Sequence, residues 1–332
     1  MATPALRALR DHFADAEIIG ILRPYVADVL AGTALLDRTL IHNHKQSRAD
    51  AFHLLRTLRQ ERFDWAVLLP NSLRSGLWAW GSGAKRTLGY ARNGRSLLLT
   101  DSIPAPSQSI PHPVLDEMLQ LVGQLGCRSL SRKIELATLP RDEEQLTAFW
   151  QRHPAVDSEN YVCLNTGGAF GAAKDWPVES FTQLARRLAT ELGQTVLVLC
   201  GPSERGIAQQ VTVEAAHPRV VSLADESLGI GLTKAAIRRS RLLVTTDSGP
   251  RHFAAAFDVP CLTLFGPTHI AWSETFHPQA VHLQLKVDCG PCQQRACPLG
   301  HHRCMRDLSV EHVFGEIIRR WPTASQRVGW AA

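Results

Sequence analysis

Hydrophobic and polar positions follow two rhythms along this chain: short apolar runs, and longer stretches with an apolar residue at every third or fourth position. Thr3-Pro4 predicts a helix start, with Thr3 as N-cap and Pro4 in the first helical position, and helical spacing continues over 5–13. Strands are predicted at 16–22 and 38–41, with a short helix over 25–31 between them. Residues 47–59 read as a helix, and 65–69 as a buried strand running into Pro70-Asn71-Ser72. A Pro- and Ser-rich stretch over 102–113 precedes a helix over 114–125. Beyond Asn160 the alternation becomes regular. Strands are predicted at 161–165, 195–200, 220–223, 242–246 and 261–265. Helices are predicted over 177–192, stopped by Gly193, over 251–257, and over 309–321 with Ile317 and Ile318 on the apolar side. Such alternation predicts a parallel, doubly wound α/β sheet, whose ligands bind outside the carboxyl ends of the strands. The domain boundary is expected between Pro140 and Asn160, giving domains of 1–150 and 151–332.

Composition narrows the class. A chain of 332 residues, 45% hydrophobic and 20% charged, suits two ordinary globular domains and excludes disorder. The net charge of +5 suits anionic ligands, yet the Arg residues are scattered rather than gathered in the basic stripe of a nucleic-acid binder, so no nucleic-acid partner is expected. No segment reaches the ~20 apolar residues of a membrane span, and residues 1–18 lack the apolar core of a signal peptide. A cytosolic location is expected, where eight cysteines are not a disulfide framework. Cys127, Cys163, Cys200 and Cys261 lie singly, the last three in apolar runs that suit small buried thiols.

Four strand ends carry candidate chemistry. The first leads into Asn165-Thr166-Gly167-Gly168-Ala169-Phe170-Gly171-Ala172-Ala173-Lys174, where glycines let the backbone approach a ligand and Lys174 brings a charge able to neutralise a diphosphate. The spacing is neither the dinucleotide fingerprint nor the P-loop, and a Gly-rich turn with a surface Lys is the other reading. The second, Gly201-Pro202-Ser203-Glu204, offers a carboxylate to ribose hydroxyls or else a helix-start cap. The third, Leu223-Ala224-Asp225, offers mainly backbone groups to a base edge. The fourth is the sharpest: Thr245-Thr246-Asp247-Ser248-Gly249-Pro250-Arg251-His252. Here Asp247 suits sugar hydroxyls, Ser248 and Gly249 offer donors to phosphate, and His252 in the first helical turn reaches the same place. Taken singly, Asp247 is a helix N-cap and His252 a core histidine; four polar strand ends in one sheet favour a ligand site.

The segments NTGGAFGAAKDWP, TTDSGPRHFAAAFDVPCLTLFGPT and CGPCQQRACPLGHHRCMRDL resemble glycosyltransferase family 9, the ADP-heptose:lipopolysaccharide heptosyltransferases, most of all the second enzyme of the inner core. The segment LLPNSLRSGLWAWGSGAKRTLGYARNGR resembles the acceptor domain of the same family, so the likeness spans nearly the whole chain. It implies a GT-B fold of two Rossmann-like domains with a cleft between them, donor on the C-terminal domain and acceptor on the N-terminal one. It implies Lys174 at the donor pyrophosphate, Glu204 at the ribose, Asp247, Ser248, Gly249 and His252 along phosphates and sugar, and Thr166 among the donor-binding residues. Asn71, Ser72 and Arg74 would face the acceptor. Ala169 stands where the family often carries an acidic residue. Family members usually begin with a strand ending in Gly-Asp, and this chain begins just after it, at Met1-Ala2-Thr3-Pro4. The first strand of the N-terminal domain, and the Asp proposed as general base, are therefore expected to be missing, and no catalytic base is named. The implied reaction is inverting and metal-independent, with a lipopolysaccharide core acceptor and transient contact at the cytoplasmic face of the inner membrane. The alternative is an ADP-sugar-binding relic without turnover.

Cys289, Cys292, Cys297 and Cys304, with His301 and His302 beside them, form a separate cluster. Four thiols in one loop suit a structural zinc, or else stay a redox-inert loop; the spacing fits neither common iron–sulfur pattern. A metal- or nucleic-acid-binding function would use this cluster but leaves the Asp247 segment unexplained.

Overall fold

The computed structural model describes residues 1–43, 47–168 and 170–322; Ala169 and the last ten residues of the expected second domain lie outside the described residues. The chain divides into two compact units, residues 1–134 with 271–274, and residues 135–270 with the chain from 275 onward.

The first unit contains α1 (Thr3–His12), β1 (Ile19–Leu22), α2 (Pro24–Leu30), β2 (Arg38–Ile41), α3 (Arg48–Glu61), β3 (Trp65–Val67), α4 (Leu73–Ser82), β4 (Arg86–Tyr90), β5 (Asp101–Ile103) and α5 (Val114–Gly123). Its strands form two parallel sheets, β1-β2 and β3-β4-β5. Helix α1 is capped by Ala2 rather than Thr3, which is buried inside the first turn. Strand β1 begins at Ile19 rather than at 16, because the Asp37 carboxylate takes the Ile18 N–H at 2.7 Å and ends the preceding turn there. At α3, Ser47 and Asp50 form a reciprocal cap, the Asp50 N–H donating to Ser47 Oγ at 3.2 Å and the Ser47 N–H to the Asp50 carboxylate at 3.1 Å. Helix α4 went unread because two glycines break its apolar pattern. Those glycines allow close packing: a Cβ on Gly76 would sit 3.1 Å from Arg95 Cβ, and one on Gly81 2.7 Å from Leu55 Cδ1. Helix α5 is tied to β4 by the Tyr90 hydroxyl, which donates to the Glu117 carbonyl at 2.7 Å.

The second unit contains α6 (Pro140–Gln151), β6 (Tyr161–Asn165), α7 (Val178–Glu191), β7 (Thr195–Leu199), α8 (Arg205–Ala215), β8 (Val220–Ser222), α9 (Ile230–Arg239), β9 (Leu242–Thr246), α10 (Pro250–Ala256), β10 (Cys261–Phe265), β11 (Ala280–Gln284), α11 (Arg303–Arg306) and α12 (Val310–Arg320). One parallel sheet runs β11-β10-β9-β6-β7-β8, so the strand order reverses between β6 and β9. Helix α6 packs on α9, which draws the structural division to 134/135, upstream of the expected 150/151. Helix α7 buries Phe181, Leu184, Ala185, Leu188 and Ala189 on one face. The large side chains of that face contribute about 1.5–3 kcal/mol each, which outweighs the few tenths that Thr182 and Thr190 cost in helix propensity. Helix α12, capped by Ser309, packs on α7, and the Trp176 indole N–H donates to the Leu308 carbonyl at 2.8 Å just before it. Among the described residues no helix is long and apolar enough to cross a membrane.

Candidate functional site

Where a parallel sheet reverses its strand order, the chains leaving the two neighbouring strands turn to opposite faces and leave room over their carboxyl ends. In the second unit that place lies over β6 and β9. Asn165 ends β6, and its Nδ2 lies 2.8 Å from the Gly167 carbonyl, 3.1 Å from Thr245 Oγ1 and 3.0 Å from Ser248 Oγ. Ser248 Oγ donates in turn to the Thr246 carbonyl at 3.3 Å. The amide thus pins the loop after β6 to the loop after β9. The glycines following it lie tight against both neighbours: a Cβ would come within 2.6 Å of Glu204 Cγ at Gly167, and within 2.9 Å of Ser248 Cβ at Gly168. Thr166 is buried, and its hydroxyl has no hydrogen-bond partner among the described residues. Leaving such a group unmet costs about 1–3 kcal/mol, a cost a ligand oxygen would offset.

Lys174 closes the site. Its Nζ donates to Asp247 Oδ2 at 2.5 Å and to the Asp247 carbonyl at 3.0 Å, and lies 4.2 Å from the centre of the Phe170 ring. Thr268 Oγ1 donates to the same carboxylate oxygen at 2.8 Å. On the other oxygen stands Arg251 Nη1 at 3.5 Å, its guanidinium fully buried and 4.9 Å from the Phe265 ring centre. Arg251 Nη2 lies 3.3 Å from His282 Nε2. Burial pushes the Asp247 carboxyl up, but Lys174 first, then Arg251 and Thr268, outweigh it and hold the group below the usual carboxylate range. Asp247 is therefore no helix cap: α10 is capped by Gly249 without a side-chain bond. His252 sits half-buried in the first turn of α10.

Glu204 serves its own turn, accepting the Gly201 N–H at 2.6 Å and the Ser203 hydroxyl at 3.0 Å, while its stem lines Gly167. Of the two sequence readings of this residue, the helix-start cap is the one these bonds display. Beside it, burial and then the Glu204 charge push the Asp175 carboxyl up, with His302 acting the other way. Three contributors were missed in the sequence: Thr268, Asp175 and the deep placement of Arg251. The strand-end rule, applied to the fifth predicted strand and its Gly266-Pro267-Thr268, would have found the first.

In the first unit, the loop after β3 is organised by Arg95, which is fully buried. Its guanidinium donates to the Tyr90 carbonyl at 2.9 Å, to Ser75 Oγ at 2.9 Å, to Asn71 Oδ1 at 3.0 Å, and to the Pro70 carbonyl. Burial, then the neighbouring Arg92, hold the Arg95 pKa below the usual guanidinium value. Asn71 therefore faces inward, while Ser72 caps α4 by accepting the Ser75 N–H at 3.2 Å, and Arg74 is exposed.

The loop of Cys289, Cys292, Cys297 and Cys304 lines a cavity of about 20 Å³ together with His301 and His302. Burial first, then the other three thiols, push the Cys304 thiol up; backbone N–H groups, that of His302 foremost, hold the Cys297 thiol down. Among the described residues no group of three or more His, Cys, Asp or Glu side chains is disposed to hold a metal ion. The four sulfurs share a cavity without forming one ligand shell, and Cys289 Sγ instead faces His301 Nε2 at 3.9 Å, so the expectation of zinc gains no support. The loop does reach the glycine-rich segment after β6: the Arg295 carbonyl accepts the Ala173 N–H at 3.1 Å, and a Cβ on Gly171, whose φ is +137°, would lie 2.6 Å from that carbonyl oxygen. Gly171→Ala is expected to part the two loops and weaken ligand binding while the unit stays folded. Ligand titration beside a thermal melt checks this, and unchanged binding would show that the loops need not touch.

The profile of glycosyltransferase family 9 (heptosyltransferase) matches residues 51–303 of the chain. A lipooligosaccharide heptosyltransferase 2 of Campylobacter jejuni is 24% identical over 326 residues, spanning 96% of this chain and 93% of its own length. Among solved structures, the E. coli ADP-heptose lipopolysaccharide heptosyltransferase II superposes with a TM-score of 0.78 at 20% identity, covering 100% of this chain and 95% of that one. A glycosyltransferase family 9 protein of Veillonella parvula gives a TM-score of 0.80 at 22% identity, with 96% and 92% covered. At these identities the structural matches establish a shared fold, the GT-B type.

Proposed function

The chain belongs to glycosyltransferase family 9, and from that premise we propose that it transfers heptose from an ADP-linked donor to the inner core of lipopolysaccharide, with inversion and without a metal in the reaction. The observation that carries this reading is the Lys174–Asp247–Thr268 set over β6 and β9. It joins a cation suited to a diphosphate with a carboxylate suited to sugar hydroxyls. In the transfer, the bond between the anomeric carbon and the diphosphate oxygen breaks as an acceptor hydroxyl attacks from the opposite face. The acceptor proton goes to a general base, to which we assign no residue. ADP departs with added negative charge on its terminal phosphate, and a fixed positive group acts hardest on charge that develops there. Lys174 supplies that group, with Thr166, Ser248, Gly249 and His252 along the phosphates and sugar, Glu204 at the ribose and Asp247 at the heptose hydroxyls. Asn71, Ser72 and Arg74 belong to the acceptor side. The acceptor is membrane-held, so the protein works at the cytoplasmic face of the inner membrane. Leu73, Leu77 and Trp80, exposed at helical spacing on α4, support a transient contact there.

The test is incubation with ADP-heptose and a heptose-bearing core acceptor, followed by mass spectrometry. One heptose gained per acceptor, one ADP released, an inverted anomeric configuration by NMR and indifference to chelator are expected. ADP release without acceptor gain would reduce the protein to a hydrolase, and loss of activity with chelator would end the metal-independent reading.

A further inference from the structure

Within the donor site, the charge of Lys174 is already met. Its Nζ sits 2.5 Å from Asp247, and Arg251 is buried behind the other oxygen of the same carboxylate. Glu204 and Asp175 add negative charge on the ribose side. A nucleoside diphosphate brings further negative charge to this place, and one cation shared with a carboxylate leaves part of it unmatched. We propose that Arg295, from the cysteine-rich loop, supplies a second positive group to the donor diphosphate, so that this loop is part of the donor site. The inference rests on the glycosyltransferase reading above.

Three observations carry it. The Arg295 guanidinium lies 5.6 Å from the centre of the Phe170 ring, the same ring on which Lys174 Nζ lies at 4.2 Å. The two charges are therefore less than about 10 Å apart, within reach of the oxygens of one diphosphate through hydrogen bonds of ordinary length. The backbone of Arg295 is held against the glycine-rich loop by the bond from the Ala173 N–H to its carbonyl, which keeps the residue beside that loop. Lastly, Arg295 is exposed and its guanidinium makes no ion pair among the described residues, which leaves the fork of donors available for bidentate phosphate contact. Phe170 then acts as a rest for both cations.

The experiment is calorimetric titration of ADP, AMP and adenosine into the full chain and into Arg295→Met and Arg295→Lys. Methionine keeps the apolar stem on Phe170 and removes the charge. Arg295→Met is expected to weaken ADP about tenfold, the usual worth of one charge-assisted hydrogen bond, and to flatten the salt dependence of ADP binding. AMP should weaken less, and adenosine not at all. Arg295→Lys should recover part of the loss. Equal ADP affinity in wild type and Arg295→Met overturns the role of Arg295 and leaves the glycosyltransferase reading standing. Equal weakening of ADP and adenosine would also overturn it, because the loop would then be acting on the nucleoside. A wild-type chain that binds no ADP overturns both.

Discussion

Replacing Lys174 by methionine is expected to lower kcat for heptose transfer by about 10²–10³-fold, the usual loss when one fixed donor to developing charge is removed. KM for the donor should rise only about tenfold. The asymmetry follows from the contacts Lys174 already makes. Lys174 is not a free cation awaiting phosphate; it already holds a charge-assisted bond of 2.5 Å to Asp247 and a second bond to the Asp247 carbonyl. Binding the ground-state donor exchanges one set of partners for another, and the net gain is small. As the glycosidic bond breaks, charge accumulates on the terminal phosphate and the contact strengthens, so the larger share of its effect falls on kcat. Lys174→Arg should restore part of kcat. The measurement is steady-state kinetics with the donor varied. A rise in KM with kcat unchanged would make Lys174 a uniform binding contact and remove it from the transition state.

The pairing of Lys174 with Asp247 marks the limit of what was legible in the sequence. Strands β6, β7, β9 and β10 each bury five consecutive residues, and such largely apolar runs are read directly. The last sheet strand, β11, buries Leu283 and leaves its other residues half-exposed, so its run is broken by polar positions and went unseen. In the first unit β5 is only three residues long and β4 carries Gly89 just before its last residue, which hides both. The polar residues at the strand ends were legible one by one, because a strand that stops at Asn165 or Thr246 exposes whatever follows. Their partners were not. Residues 174 and 247 meet because β6 and β9 are neighbours in the sheet, and that adjacency comes from strand order rather than from local pattern. The same holds for Arg295, whose meeting with Phe170 depends on the cysteine-rich loop folding back over the glycine-rich segment after β6. Arg251 shows a further limit, since an arginine on a short helix gives no sign in sequence that it will be fully buried beneath the site.

Asp247→Asn is expected to cost stability more than Lys174→Met does, by an argument from exposure. When the carboxylate goes, two cations lose a partner. Lys174 retains some exposure along its side chain, 12%, and its long stem lets the ammonium turn to water. The Arg251 side chain is 1% exposed and has no such route, so its charge stays in the interior with a neutral amide in place of the carboxylate. Breaking a buried pair from one side costs about 3 kcal/mol or more, and in a unit of this size that corresponds to a fall in Tm of roughly 6–12 °C. The pH dependence provides a second check. Because the Asp247 pKa is held down in the folded protein, its contribution is fully present above the unfolded value of about 4 and fades as pH falls through the lower folded value. The gap in Tm between wild type and Asp247→Asn should therefore be widest near neutrality and close on the acid side. Calorimetric melts across pH measure both. An unchanged Tm at neutral pH would show that Arg251 has its charge met by another group, and that Asp247 is kept at this strand end for the sugar alone.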